Sequence, residues 1–192
     1  MKGLTVGFAF CGSFCTFSKA IAALERVKES GADVLPIMSE TAYGTDTRFG
    51  SAQSFRERIE AICGHTVRHT LTETEPIGPK KLLDLLIVAP CTGNTLGKLA
   101  GGITDSAVTL AAKAHLRNER PLLLAVSTND ALGASAENIG KLLRAGYIYF
   151  VPMRQDDPQN KHASVVADFE KILPAAEHAV RGEQMQPILL GN

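Results

Sequence analysis

Along the chain, short unbroken apolar runs alternate with stretches in which apolar side chains return every three or four positions. Residues 4–10 form the first run and end at Cys11-Gly12-Ser13. Phe17, Ile21, Leu24 and Val27 then recur at spacings of four, three and three, which is one face of an amphipathic helix. Gly31 stands where such a helix would be capped. Residues 33–38 make a second strand, residues 39–50 a polar loop, and residues 51–63 a helix opened by Ser51, with Phe55, Ile59 and Ile62 as its inner stripe. Residues 67–79 read as β-rich and turn-rich, punctuated by Pro76, Gly78 and Pro79. Residues 84–89, apolar throughout after Asp84, and residues 121–126 read as strands covered on both faces. Between them, residues 94–116 are helical with a break at Gly101-Gly102. Residues 136–143 add a helix, residues 147–151 a last strand, and residues 163–181 a terminal helix with Val166, Phe169, Ile172 and Leu173 inward.

Strands alternating with helices, with no internal repeat or low-complexity linker, predict crossover connections. The expected fold is α/β and Rossmann-like, with three layers: a mostly parallel sheet and helices on both faces, in a single domain over residues 1–192. The apolar runs are of strand length, far below the roughly 20 residues of a membrane span. The first run is broken by Gly7, Gly12 and Ser13 and reads as a strand, not a signal peptide.

Composition narrows the function. Twenty basic residues balance twenty acidic ones, so no global charge favours a nucleic acid or an anionic membrane. Trp is absent and aromatics are 6% of the chain, which argues against a base-stacking surface. Cys11, Cys15, Cys63 and Cys91 show no Cys-x-x-Cys spacing; they are expected to be thiols in a reducing compartment, mostly as small buried hydrophobes.

In an open α/β sheet, ligands bind beyond the carboxyl ends of the strands. The residues there are Gly12 and Ser13 after the first strand, Ser39 after the second, Pro90, Cys91, Thr92, Asn94 and Thr95 after the third, and Ser127 and Thr128 after the fourth. They are small, hydroxylic or amidic, and leave backbone N–H groups open at helix starts, where the dipole favours an anion. The same residue types serve as ordinary N-caps and turns, so a phosphate cradle and plain helix capping both fit a single loop. Neither Gly-x-Gly-x-x-Gly nor a Walker loop is present, and no Gly-x-Ser-x-Gly elbow marks a hydrolase. His65 and His69 lie four apart without a third ligand close by, so no metal site is expected. Lys98 is either a phosphate contact or a surface lysine. Asp105 either caps or opens the next helix. Arg154 either binds a carboxylate or forms a local ion pair.

The stretch Ile87-Val88-Ala89-Pro90-Cys91-Thr92-Gly93-Asn94-Thr95, continued to Gly101-Gly102 and Asp105, resembles the Pro-Ala-Ser-Ala-Asn-Thr block of the homo-oligomeric flavin-containing Cys decarboxylases and related flavin prenyltransferases. That resemblance implies an FMN cofactor held by the turns named above, a homo-oligomer (a trimer or a multiple of one), and Asn94 positioned near the ligand. Residues 74–80, 89–95, 125–133 and 149–158 together are similar to the B subunits of a two-subunit oxidoreductase family of spore-forming bacteria, a likeness spanning nearly the whole chain. It implies a partner A subunit, a small dicarboxylate substrate, NADP as acceptor and the cytoplasm of a sporulating mother cell. Catalytic roles then fall to Asn94 and to Arg154, the latter as a partner of a substrate carboxylate. Where the decarboxylases carry Pro-x-Met-Asn, this chain reads Val126-Ser127-Thr128-Asn129. The resemblance therefore does not extend to Cys decarboxylation. It leaves room for a non-catalytic partner that keeps only the phosphate pocket.

Overall fold

The runs around residues 85–89 and 121–126 become the middle of the sheet. In the computed structural model, which describes residues 1–191, β3 (Leu85–Cys91) is buried at every position and β4 (Leu122–Thr128) at all but Thr128. Both faces are covered, so no alternation of polar residues is tolerated along either strand. β1 (Thr5–Phe10) pairs in parallel with β3 on one side and with β2 (Asp33–Met38) on the other. β5 (Ile148–Phe150) pairs in parallel with the start of β4. The parallel order is thus 2-1-3-4-5, which reverses direction between β1 and β3 and opens a crevice at their carboxyl ends.

The helices follow their caps and stripes. In α1 (Phe17–Glu29), Phe17, Ile21, Leu24 and Val27 are all fully buried. Phe17 packs against Phe10 and Phe55 with ring centroids 5.6 and 5.0 Å away. α3 (Ala52–Cys63) opens on Ser51, whose Oγ accepts from Ser54 N; of its expected stripe Ile59 is fully buried, while Phe55 and Ile62 are half-buried. The long helical stretch breaks as expected, into α5 (Gly93–Gly101) and α6 (Ala107–Leu116), with Gly102 left-handed at φ +70° between them. α7 (Ala136–Leu143) matches its expected bounds.

Four expectations are corrected. Residues 67–79 are helical rather than β-rich: Thr70 and Glu73 cap each other at α4 (Leu71–Thr74), and a 3-10 turn with Pro76 follows. Only Arg68 makes a bridge there, to Ile37. The polar loop 39–50 contains α2 (Glu40–Gly44), capped by Ser39. The strand at 147–151 is not the last, because β6 (Met153–Arg154) and β7 (Val165–Ala167) form an antiparallel ribbon on the end of β4. Residue 166 therefore lies in a strand, and the final helix α8 (Ile172–Val180) starts only after Asp168 caps a 3-10 turn. α8 packs on its own sheet, with Ala175, Ala176 and Ala179 buried. No helix among the described residues is long and apolar enough to cross a membrane.

Candidate functional site

Each strand of the crevice ends in a turn that its own hydroxyls hold in place. Ser39 Oγ accepts from Ala42 N at the start of α2, and Thr92 Oγ1 accepts from Thr95 N at the start of α5. After β1 the chain turns at Gly12-Ser13, and Ser13 Oγ shares a 2.8 Å hydrogen bond with Ser127 Oγ at the end of β4. Thr16 Oγ1 donates to Ser13 O and lies 3.2 Å from the same Ser127 oxygen. This hydroxyl bridge joins two strands that β3 separates in the sheet.

Two cavities open on this edge. The smaller, about 300 Å³, is lined by Gly12, Ser39, Thr92, Asn94 and Thr95 together with Cys11, Glu40, Thr41, Lys98 and Ser106. The larger, about 730 Å³, is lined by Gly12, Ser13, Thr92, Asn94, Ser127 and Thr128, with Arg48, Phe49, Asp130, Asp156 and Lys161 among the rest. Gly12, Thr92 and Asn94 line both and form the wall between them. Both volumes fall within the range of small-molecule sites.

The structure therefore brings together Gly12, Ser13, Ser39, Thr92, Asn94, Thr95, Ser127 and Thr128. Pro90 and Cys91 stay buried inside β3 and line neither cavity. Arg154 lines neither of these: it lines a third cavity of about 470 Å³, beside Lys19 and Arg26, that adjoins the larger one across Asp156 and Val166, and its Nη2 is 3.2 Å from Asp168 Oδ2. That contact is the local ion pair.

The edge is less neutral than its turns suggest. Glu40 lines the smaller cavity and accepts from Ala107 N, putting its carboxylate at the start of α6, where the helix dipole favours negative charge. Lys98 Nζ donates to Asp105 Oδ1 at 2.8 Å, and this hydrogen bond holds the Asp105 carboxyl below its usual range. The cap of α6 is Ser106, in a reciprocal pair with Thr109; Asp105 is not the cap. Cys11 is on the cavity wall but almost fully buried, and burial pushes its thiol up to about 11 against the hydrogen bond with Thr95. Burial, with the nearby Cys11, also raises Cys91. Neither is a thiolate at neutral pH.

Gly93 is the tightest point. A Cβ there would sit 2.7 Å from both Asp130 Oδ1 and Thr128 Oγ1 and 2.8 Å from Ser135 Oγ. Those three groups form one cluster: Thr128 Oγ1 and Ser135 Oγ both donate to Asp130 Oδ1, at 2.5 and 2.9 Å. The first turn of α5 is thus seated on the carboxylate of the next loop, and only glycine allows the approach. Glu40 directly follows a predicted strand end, so its place was within reach of the sequence. Arg48, Asp130 and Lys161 carry no local signal.

The two histidines serve structure. His65 Nε2 is 2.9 Å from Asp33 Oδ1, and His69 stacks on Tyr43 at 3.6 Å between centroids, with Arg56 over the same tyrosine. Among the described residues no cluster suited to a metal ion occurs.

An open parallel sheet with a hydroxyl-lined, glycine-seated crevice at its switch point defines a class. The chain belongs to the Flavoprotein family, whose model matches residues 1–175. Within it, the chain is 40% identical over 192 residues to the dipicolinate synthase B subunit of Bacillus subtilis (strain 168), covering 100% of this chain and 96% of that protein. The crystal structure of the dipicolinate synthase B subunit from Bacillus halodurans C superposes with a TM-score of 0.92 at 41% identity, covering 100% of this chain and 98% of the other. A dodecameric FMN-dependent Ubix-like decarboxylase from Escherichia coli O157:H7 matches with a TM-score of 0.64 at 23% identity, over 78% of this chain and 80% of that one. At that identity the match shows the shared fold alone.

Proposed function

We propose that this chain is the B subunit of a dipicolinate synthase. It acts with an A subunit to oxidise dihydrodipicolinate to dipicolinate, pyridine-2,6-dicarboxylate, in the cytoplasm of a sporulating mother cell. In the overall reaction a hydride passes to NADP and a proton is released, and the ring becomes aromatic. The observation that carries this reading is the 40% identity over a match that spans the whole chain.

The cradle fits an FMN-type cofactor on its own evidence. Hydroxyls converge on the smaller cavity at the start of α5, and a larger cavity adjoins it across Gly12, Thr92 and Asn94. Ser39, Thr92 and Thr95 with the α5 N-terminus suit a phosphate; Gly12, Ser13, Asn94, Ser127 and Thr128 suit a ring. When bound, a flavin supplies a two-electron acceptor. This chain's residues supply position: the Ser13–Ser127–Thr16 bridge fixes the wall, and Asn94 presents an amide to both cavities. The resemblance to the homo-oligomeric flavin-containing Cys decarboxylases favours a homo-oligomer, a trimer or a multiple of one.

A second reading has its own support. The cradle's acidic and thiol groups are engaged: Cys11 stays protonated, Glu40 accepts from Ala107 N at the start of α6, and Asp130 is held by two hydroxyls. In that reading the A subunit carries the hydride chemistry and this chain is a structural or regulatory partner with a relict phosphate pocket.

A spectrum of the purified chain, followed by titration with FMN and with NADP and then by assay with the A subunit, separates the two. Flavin bands and activity only in the mixture support the first reading. Colourless protein that gains no bands with FMN supports the second.

A further inference from the structure

The loop after α2 carries a feature that the cradle does not use. Thr47 and Gly50 bond to each other in both directions, Thr47 N to Gly50 O at 3.0 Å and Gly50 N to Thr47 O at 3.1 Å. This leaves Arg48 and Phe49 as a two-residue tip. Asp46 Oδ1 ties the base of the loop to Ala52 N at 2.8 Å. Gly50 lies so close to Phe55 that a Cβ would meet its ring at 2.8 Å. The tip is held on both sides, and it lines the larger cavity.

Counting charges around that cavity isolates Arg48. Lys161 pairs with Asp156 at 3.1 Å, and Asp156 also accepts from Ser164. Asp130 accepts from Thr128 and Ser135 and faces the α5 N-terminus. Among the described residues Arg48 makes no ion pair; its guanidinium lies over the ring of Phe49, 4.9 Å from the centroid. Phe49 is an aromatic residue left 46% exposed. Stacking on a ring orients a guanidinium while leaving its fork of donors open, which is the geometry that takes a carboxylate through two hydrogen bonds.

We infer that Arg48 and Phe49 read the substrate, a planar ring bearing carboxylates, with Arg48 taking one carboxylate and Phe49 packing against the ring. The inference rests on the proposed function and moves the carboxylate contact from Arg154 to Arg48.

The test uses the full chain with FMN and the A subunit. Arg48→Gln should raise KM for dihydrodipicolinate by at least ~10-fold, the size of a lost charged hydrogen bond, with kcat little changed. Arg48→Lys should recover part of the loss, and Phe49→Leu should raise KM by less. Binding of pyridine-2,6-dicarboxylate should weaken in parallel, and FMN affinity should stay at the wild-type value. Both side chains are exposed, so melting temperatures should hold. Unchanged KM and product affinity in Arg48→Gln and Phe49→Leu, while the wild type works, would overturn this inference alone. Loss of FMN binding with an unchanged KM would also overturn it, placing Arg48 on the cofactor phosphate. A wild-type mixture that neither turns over nor binds the dicarboxylate would overturn the proposed function, and this inference with it.

Discussion

The two sides of the crevice are built from different materials. On the β1–β3 side, hydroxyls, amides and glycine meet across short fixed distances: Ser13 to Ser127, Thr92 to Thr95, Gly93 against Asp130. On the β6–β7 side, charges meet in pairs, Arg154 with Asp168 and Lys161 with Asp156, and Arg26 Nη2 donates to the Phe169 carbonyl. The first side is anchored to strands with no solvent-exposed residue, so its geometry is inherited from the core. The second hangs on strands of two and three residues and depends on electrostatics that water and salt weaken. A site that must present a fixed cradle belongs on the first side; a surface that adapts to a partner protein belongs on the second.

The largest expected effect probes, through acid, the buried core that carries the first side, at the amino end of β4. His115 is buried on α6, its Nε2 2.8 Å from the Pro121 carbonyl, and burial pushes its imidazole down to about 4 despite that contact. The folded state then holds it neutral while the unfolded chain protonates near pH 6.5. Because the folded pKa is depressed, this stability is complete above about pH 6.5 and is lost as pH falls towards 4, a total of about 3 kcal/mol. Urea titrations across that window should show the loss, and His115→Gln should flatten it. An acid limb of equal slope in the variant would assign the loss elsewhere.

Next in size is the seat of α5. Gly93→Ala puts a methyl 2.7 Å from Asp130 Oδ1 and Thr128 Oγ1, so the helix start or the β4–α7 loop must shift. Overpacking of this kind costs about 1–3 kcal/mol. Titration with FMN should show weaker binding than in wild type, alongside a lower melting temperature. A stable variant with wild-type flavin affinity would mean that the cradle tolerates movement, and the contrast between the two sides would fade. Asp130→Asn tests the same seat more gently. It keeps the shape but removes the charge that two hydroxyls and the helix end share, a loss of about 1 kcal/mol.

What could be read in advance follows the same division. The stripe Phe17, Ile21, Leu24 and Val27 and the runs at β3 and β4 were legible because burial on a regular element repeats at a fixed period. The cradle turns were legible because a parallel sheet sends every strand end to one edge. The ribbon was not: strands as short as Met153–Arg154 hold too few residues to show alternation, and Val166, Phe169 and Ile172 mimic helical spacing although Val166 lies in a strand. Residues 67–79 misled for a related reason. Their threonines and prolines suit both extended chain and capped single turns, and Glu73 decides the matter by reaching back to Thr70. Arg48 had no local signal at all, since its importance comes from which cavity the loop tip meets.

The smallest expected effect tests the charged side, where residue type alone pointed to Arg154 as the substrate contact. The structure engages its guanidinium with Asp168 at 3.2 Å, and both line the cavity that adjoins the larger one across Asp156 and Val166. Arg154 is substantially exposed, so the pair is worth at most about 1 kcal/mol and less in salt. Arg154→Gln should lower the melting temperature slightly at low ionic strength and not measurably at high. In the reconstituted two-subunit assay its KM for dihydrodipicolinate should stay close to wild type while Arg48→Gln raises it. The opposite ranking, a large KM effect at Arg154 and none at Arg48, would move substrate recognition to the ribbon and leave the cradle side to the cofactor alone.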